Sequence, residues 1–165
     1  MTIPEIIDLL KSTWSQPAHA THRGIKRRLR FACSFSEEHR VLPEDYPYNV
    51  PDEVKDFWAI ASTAKLFEDV DYGQWGLEIL SPEESASHTE SDRGYYPPFR
   101  QDELIIGKFL GDSDILIVSC GEDEFGTIRI GLPLDDYPDW PVVGKSFKEF
   151  LEEYVKLEGD KFWES

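Results

Sequence analysis

Leu104-Ile-Ile-Gly-Lys-Phe-Leu-Gly-Asp-Ser-Asp-Ile-Leu-Ile-Val118 is the stretch that decides the fold. Its two apolar runs, Leu104 to Leu110 and Ile115 to Val118, are rich in β-branched residues and too short for buried helices, so they read as interior strands. Gly111-Asp-Ser-Asp114 between them has turn chemistry and makes the pair a hairpin. Downstream, Gly121-Glu-Asp-Glu-Phe-Gly126 is a second loop of hairpin type, and Thr127-Ile-Arg-Ile130 alternates as a third strand. Three strands so closely joined form an antiparallel meander. Upstream, Trp75, Leu77 and Ile79 alternate with Gly76 and Glu78, as a half-buried strand does.

Helices are expected on either side of these strands. Thr2-Ile-Pro-Glu5 has the form of a capping box, and Ile3, Ile7, Leu10 and Trp14 fall on one stripe, predicting a first helix that ends before Pro17. From Gly24 to Ser34, Ile25, Leu29, Ala32 and Cys33 share a helical face while Lys26, Arg27, Arg28 and Arg30 lie elsewhere, predicting a second, basic helix. Leu42 to Pro51 holds three prolines and is a loop. Val54, Phe57, Trp58 and Ala61 mark a third helix from Asp52. Ser81 to Pro98 is polar, lacks a period and reads as a mobile loop. Ser146-Phe-Lys-Glu149 repeats the capping signature before the stripe Phe147, Phe150, Leu151 and Tyr154, giving a final helix over the sheet. The expectation is an α+β single domain over residues 1–165: a central, largely antiparallel sheet flanked by N-terminal helices and a C-terminal helix.

Charge is unevenly spread. Residues 1–41 carry 7 Lys and Arg against 4 Asp and Glu, whereas residues 42–165 carry 10 against 29, which together give a net charge of −16. Aromatic and turn residues are interleaved with the acids, as in Leu134-Asp-Asp-Tyr-Pro-Asp-Trp140, which suits a folded acidic face better than a disordered tail. Such a face favours a basic partner and repels nucleic acid and anionic membrane. No run approaches the ~20 apolar residues that span a bilayer. Acid at Glu5 and Asp8 argues against a secretory signal. Cys33 and Cys120 read as buried free thiols suited to a reducing cytosol, so a cytoplasmic protein is expected.

Familiar enzyme fingerprints are missing from the sequence: no Walker loop, Gly-x-Gly-x-x-Gly, Gly-x-Ser-x-Gly or His-Glu-x-x-His. His19 and His22 lack ligand partners at matching spacing and read as surface histidines. Asp112 and Asp114 imitate the start of a calcium loop that Ile115 and Leu116 then break. Neither metal nor cofactor is implied. The basic cluster Arg23 to Arg30 suits a helix folded back on the acidic body rather than a nucleic-acid site. Glu83, Glu84 and Glu90 read as solvated; a hydrolase would instead need a cleft enclosing two carboxylates, one with a perturbed pKa.

The order Val50-Pro-Asp-Glu-Val-Lys-Asp-Phe-Trp58, Trp75-Gly76 opening a strand, Ile106-Gly107 with Gly111-Asp112, and Ser146-Phe-Lys-Glu-Phe-Leu151 resembles the SUKH superfamily. That group contains the Smi/Knr-type cell-wall-assembly regulators and many bacterial immunity proteins. The likeness covers about residues 42–155 and leaves residues 1–41 as a helical N-terminal extension. Ser62-Thr63-Ala64 stands where members often place Asn-Gly-Gly. The resemblance implies an α+β fold and non-enzymatic binding of a partner: a cognate toxin, frequently a nuclease, or another protein with a basic surface. A regulatory scaffold of the Smi/Knr type is the alternative, and a monomer or homodimer is expected. Candidate contacts are the loop residues Asp112, Asp114, Glu122, Asp123, Glu124, Asp135, Asp136, Asp139 and Trp140, the last as an exposed hot spot or a core residue.

Overall fold

The hairpin around Gly111 lies inside a larger meander. A computed structural model, which describes residues 1–164, shows one eight-stranded antiparallel sheet whose spatial order is the chain order. The strands are β1 (Ala18–His22), β2 (Ile25–Phe35), β3 (Ala64–Asp69), β4 (Leu77–Ile79), β5 (Glu103–Phe109), β6 (Ile115–Ser119), β7 (Ile128–Gly131) and β8 (Val142–Gly144). The helices are α1 (Ile3–Trp14), α2 (Asp52–Ile60), α3 (Pro82–Asp92) and α4 (Phe147–Lys156). The α+β class and the β5–β6–β7 meander are as the sequence predicts.

Three helices fill one face of the sheet. Ile3, Ile6, Ile7, Leu10 and Trp14 of α1 meet Val54, Phe57 and Trp58 of α2 and Phe147, Phe150, Leu151 and Tyr154 of α4 over Leu66, Leu77, Leu104, Leu116 and Ile130. On the other face a smaller cluster of Leu80, Tyr96, Phe99, Ile105, Ile115, Ile117 and Trp140 covers the middle strands. Both faces of β5 and β6 are therefore buried, which is why their sequences run apolar without alternating. The box at Thr2 is complete, with Thr2 Oγ1 accepting from Glu5 N–H (3.3 Å) and Thr2 N–H donating to Glu5 Oε1 (2.9 Å). At α4 only half forms: Ser146 Oγ accepts from Glu149 N–H (3.1 Å), while the Glu149 carboxylate takes the Lys145 N–H instead (3.2 Å).

Two predicted elements are corrected. Residues 24–34 are not a basic helix but most of β2, paired with β1 across the two-residue turn Arg23-Gly24 (φ 54° and 80°), with His22 opposite Ile25. Successive positive φ values make a turn of the I′ kind, which matches strand twist. Phe31 and Cys33 point inward with period two, Lys26, Arg28 and Arg30 stand in solvent, and Ile25, counted into the helical face, is 69% exposed. The N-terminal extension is thus one helix plus a hairpin that extends the sheet.

Ser81 to Pro98 is not a loop throughout, because residues 82–92 form α3. Ser81 Oγ accepts from Glu84 N–H (3.1 Å) and Ser81 N–H donates to Glu84 Oε1 (3.2 Å), a third use of the capping signature. The helix seats Ser85 and Thr89 rather than an apolar stripe: Thr89 Oγ1 accepts from Ile105 N–H of β5 (2.9 Å) and donates to Ser85 O (2.7 Å). That contact falls beside the register shift between Ile105 and Gly107.

Beyond α4 the chain returns across the sheet. Thr21 N–H donates to Glu158 Oε1 (3.0 Å), Arg23 reaches Asp160 (3.2 Å), Lys161 O (2.9 Å) and Glu164 O (2.6 Å), and Trp75 Nε1–H donates to Gly159 O (2.9 Å). His22, expected at the surface, is buried between Glu158 O (2.9 Å) and Arg27 Nη1 (2.9 Å), and its desolvation lowers its pKa.

Candidate functional site

Strand order decides which loop acids can act together. In an antiparallel meander alternate connections share an end, so the β5–β6 turn (111–114) and the start of the β7–β8 connection (132–135) lie together, the β6–β7 loop (120–127) lies at the opposite end, and the rest of the connection crosses the sheet so that Tyr137 reaches Glu103. The nine candidate residues therefore form two groups.

In the opposite-end group, the acids are partly consumed. Glu122, Asp123 and Glu124 are exposed, but Arg100 pairs with Asp123 (3.3 Å to Oδ2, 3.0 Å to O) and Arg129 with Glu124. The Arg129 contact holds the Glu124 carboxyl below its ordinary range. Both arginines lead to Glu103, which has 0% exposure. Its Oε2 accepts from Tyr137 O–H (3.0 Å), Ser119 O–H (3.2 Å) and Arg129 Nη1–H (3.3 Å), and its Oε1 from Arg100 N–H (3.1 Å). A buried carboxylate persists only when so surrounded. Through Tyr137 and Arg129 it fixes both acidic loops against the sheet.

Along the β7–β8 connection the acids are freer. Asp135, Asp136 and Asp139 are exposed, with Leu134 beside them at 95%. Trp140 is inside at 3% exposure: its Nε1–H donates to Asp135 O (2.7 Å) and Leu132 O (3.1 Å), and its ring packs on Phe99 and Tyr137. Of the two roles open in the sequence it takes the core one, shaping the loop that displays the aspartates. Asp112 Oδ1 accepts from Asp114 N–H (2.9 Å) while its Oδ2 pairs with Lys161, a buried lysine lying over Trp75 and Phe109. The backbone there is tightly specified: Gly111 has φ 90°, and a Cβ on it would fall 2.1 Å from Gln74 O.

Beside this turn a cleft of about 580 Å³ separates it from the end of α3 and the short 3-10 turn Arg93–Tyr95. Tyr95 and Tyr96 form one wall, Lys108 and Phe109 another, with Asp112 and Asp114 at the rim. Burial, reinforced by Asp112, pushes the Asp114 carboxyl up to about 6. Sequence reasoning missed this cleft, because Tyr95 and Tyr96 sit in the stretch read as a loop. It also passed over Glu103 and Arg129, although an arginine between Ile128 and Ile130 was a signal that a buried charge needed a partner.

Fold and site together define an acidic α+β protein built on a helix-flanked antiparallel meander. The chain belongs to the SMI1 / KNR4 family (SUKH-1), which it matches over residues 36–153. Its role is accordingly a SUKH-type protein-interaction or immunity role. A comparison with curated proteins finds no match. Residues 1–35, holding α1, β1 and β2, and the segment after residue 153 lie outside the matched span.

Proposed function

We propose that the chain is a non-enzymatic immunity protein that blocks a cognate toxin by laying its acidic end on a basic surface of that toxin. The observation that carries this is the set of exposed aspartates 135, 136 and 139, which meet no cation among the described residues, beside the exposed Leu134, displayed by a loop anchored on buried Trp140 and half-buried Tyr137. Charges so placed speed and orient encounter with a basic cleft of the kind nucleases present. Asp112, Asp114 and Glu122 extend the acidic surface, whereas Asp123 and Glu124 contribute less because Arg100 and Arg129 meet them.

The cleft beside Asp114 satisfies part of what a carboxylate-dependent hydrolase would need. Its second carboxylate, however, is engaged on both oxygens, by the Asp114 N–H and by Lys161, so Asp112 is a poor general base and the pair suits binding better than hydrolysis. Membership of the SMI1 / KNR4 family favours one further reading, a regulatory scaffold using the same surface.

Affinity capture with the product of the neighbouring gene decides between them. The immunity reading expects a salt-sensitive complex, lost when Asp135, Asp136 and Asp139 are all changed to Lys. A toxin-like neighbour that never associates would sink it, and host-protein partners recovered in a proximity screen would favour the scaffold.

A further inference from the structure

The cleft between the β5–β6 turn and the end of α3 is not merely one more patch of acid. Part of its charge is already matched: Asp92 faces Lys108 (3.5 Å) and His88 (3.2 Å), and Asp112 faces Lys161. Asp114 differs. It is half-buried, and among the described residues no donor reaches either oxygen of its carboxylate. The wall beside it is aromatic. Tyr96 is fixed by its hydroxyl donating to Ser113 O (2.7 Å), and Tyr95 packs against it edge-on at 5.3 Å while remaining 68% exposed. A partly desolvated anion that shares an open cleft with an exposed aromatic ring is a receptor for a cation with a flat face. Guanidinium fits better than ammonium, since it can stack on a ring while its edge forks onto a carboxylate.

We propose that this cleft is the anchor pocket for an arginine side chain of the partner protein, paired with Asp114 and stacked on Tyr95. The inference rests on the protein-binding reading above and names the group by which that partner is held. Other charges bear on Asp114 from every side. Asp112 on its own turn, Asp135 of the β7–β8 connection and Glu164 of the C-terminal segment raise its proton affinity, while Lys161 lowers it. Glu78 of β4, Lys108 of β5 and Asp92 of α3 complete the lining. An arriving guanidinium would do for Asp114 what Lys161 does for Asp112.

The test is an NMR titration of the full chain with the blocked tripeptide acetyl-Gly-Arg-Gly-amide, against acetyl-Gly-Gln-Gly-amide. The expected result is saturable binding at a Kd of about 1 mM, strongest at Tyr95, Ser113 and Asp114. It should be about tenfold tighter at pH 7 than at pH 5, as Asp114 ionises through a pKa of about 6. Asp114→Asn should abolish binding, and Tyr95→Ala, which leaves every charge in place, should weaken it about fivefold or more. Equal shifts with the glutamine peptide, undiminished binding by Asp114→Asn, or shifts spread evenly over Asp135, Asp136 and Asp139 would overturn the proposal. Capture of a toxin equally well by wild type and Asp114→Asn would keep the immunity reading and remove the pocket. Peptide binding with no toxin captured would do the reverse.

Discussion

Glu103 draws several separate parts of the chain together, since the segment ahead of β5 (Arg100), β6 (Ser119), β7 (Arg129) and the β7–β8 connection (Tyr137) each donate to its carboxylate. Glu103→Ala would leave the Arg129 guanidinium buried without that counter-charge, and we expect a loss of about 3–5 kcal/mol in urea unfolding. Asp114 should behave in the opposite sense. Its folded pKa of about 6 lies above the ordinary 3.8, so its contribution to stability is full below about pH 4 and is lost as pH rises through 6. Asp114→Asn should then be the more stable protein at pH 7.5, by about 1 kcal/mol once solvent screening is allowed for, with no advantage at pH 4. Cys33 and Cys120, as the sequence suggests, are buried free thiols, and desolvation raises both to about 12. A thiol reagent should label them only after unfolding. Individual residue types were thus legible in the sequence, but which charges meet was not: Glu103 and Arg129 are 26 positions apart and touch only because β6 lies between their strands.

At the scale of elements, the sequence was most readable where an apolar period and a cap agree, as in α1 and α4, while α2 was legible from its period alone, without a side-chain cap, and β2 and α3 were misread. In β2 the helical spacing of Ile25, Leu29, Ala32 and Cys33 competed with the alternation of Phe31 and Cys33, and the Arg23-Gly24 turn settled the matter for a strand. In α3 the cap was present and the period absent, because the packing side chains are Ser85 and Thr89. Two measurements probe that helix. Ser81→Ala should cost about 1 kcal/mol through loss of the cap. Thr89→Val, similar in shape, should cost about 1–3 kcal/mol by leaving the Ile105 N–H unpaired, and hydrogen exchange at Ile105 should speed up while that in β2 stays unchanged. Neither substitution touches the acidic end, so a bound partner should be retained by both.

For the molecule as a whole, a net charge of −16 concentrated after residue 41 predicts that association with a basic partner slows steeply with salt while dissociation changes little, measurable by stopped-flow between 50 and 500 mM NaCl, concentrations spanning Debye lengths of roughly 14 to 4 Å. The acid was legible from composition; its division between two ends of the sheet was not, because that depends on strand order. The same order bears on how the chain is made. Each strand pairs with its neighbour in sequence, so the sheet can assemble in step with synthesis from β2 onward. The β1–β2 hairpin is the exception, since the groups that hold its tip belong to Glu158, Asp160, Lys161 and Glu164, made long after it. On a translating ribosome the first two strands emerge early and their clasp more than a hundred residues later, so the hairpin tip stays unfastened until residues 158–164 have been made.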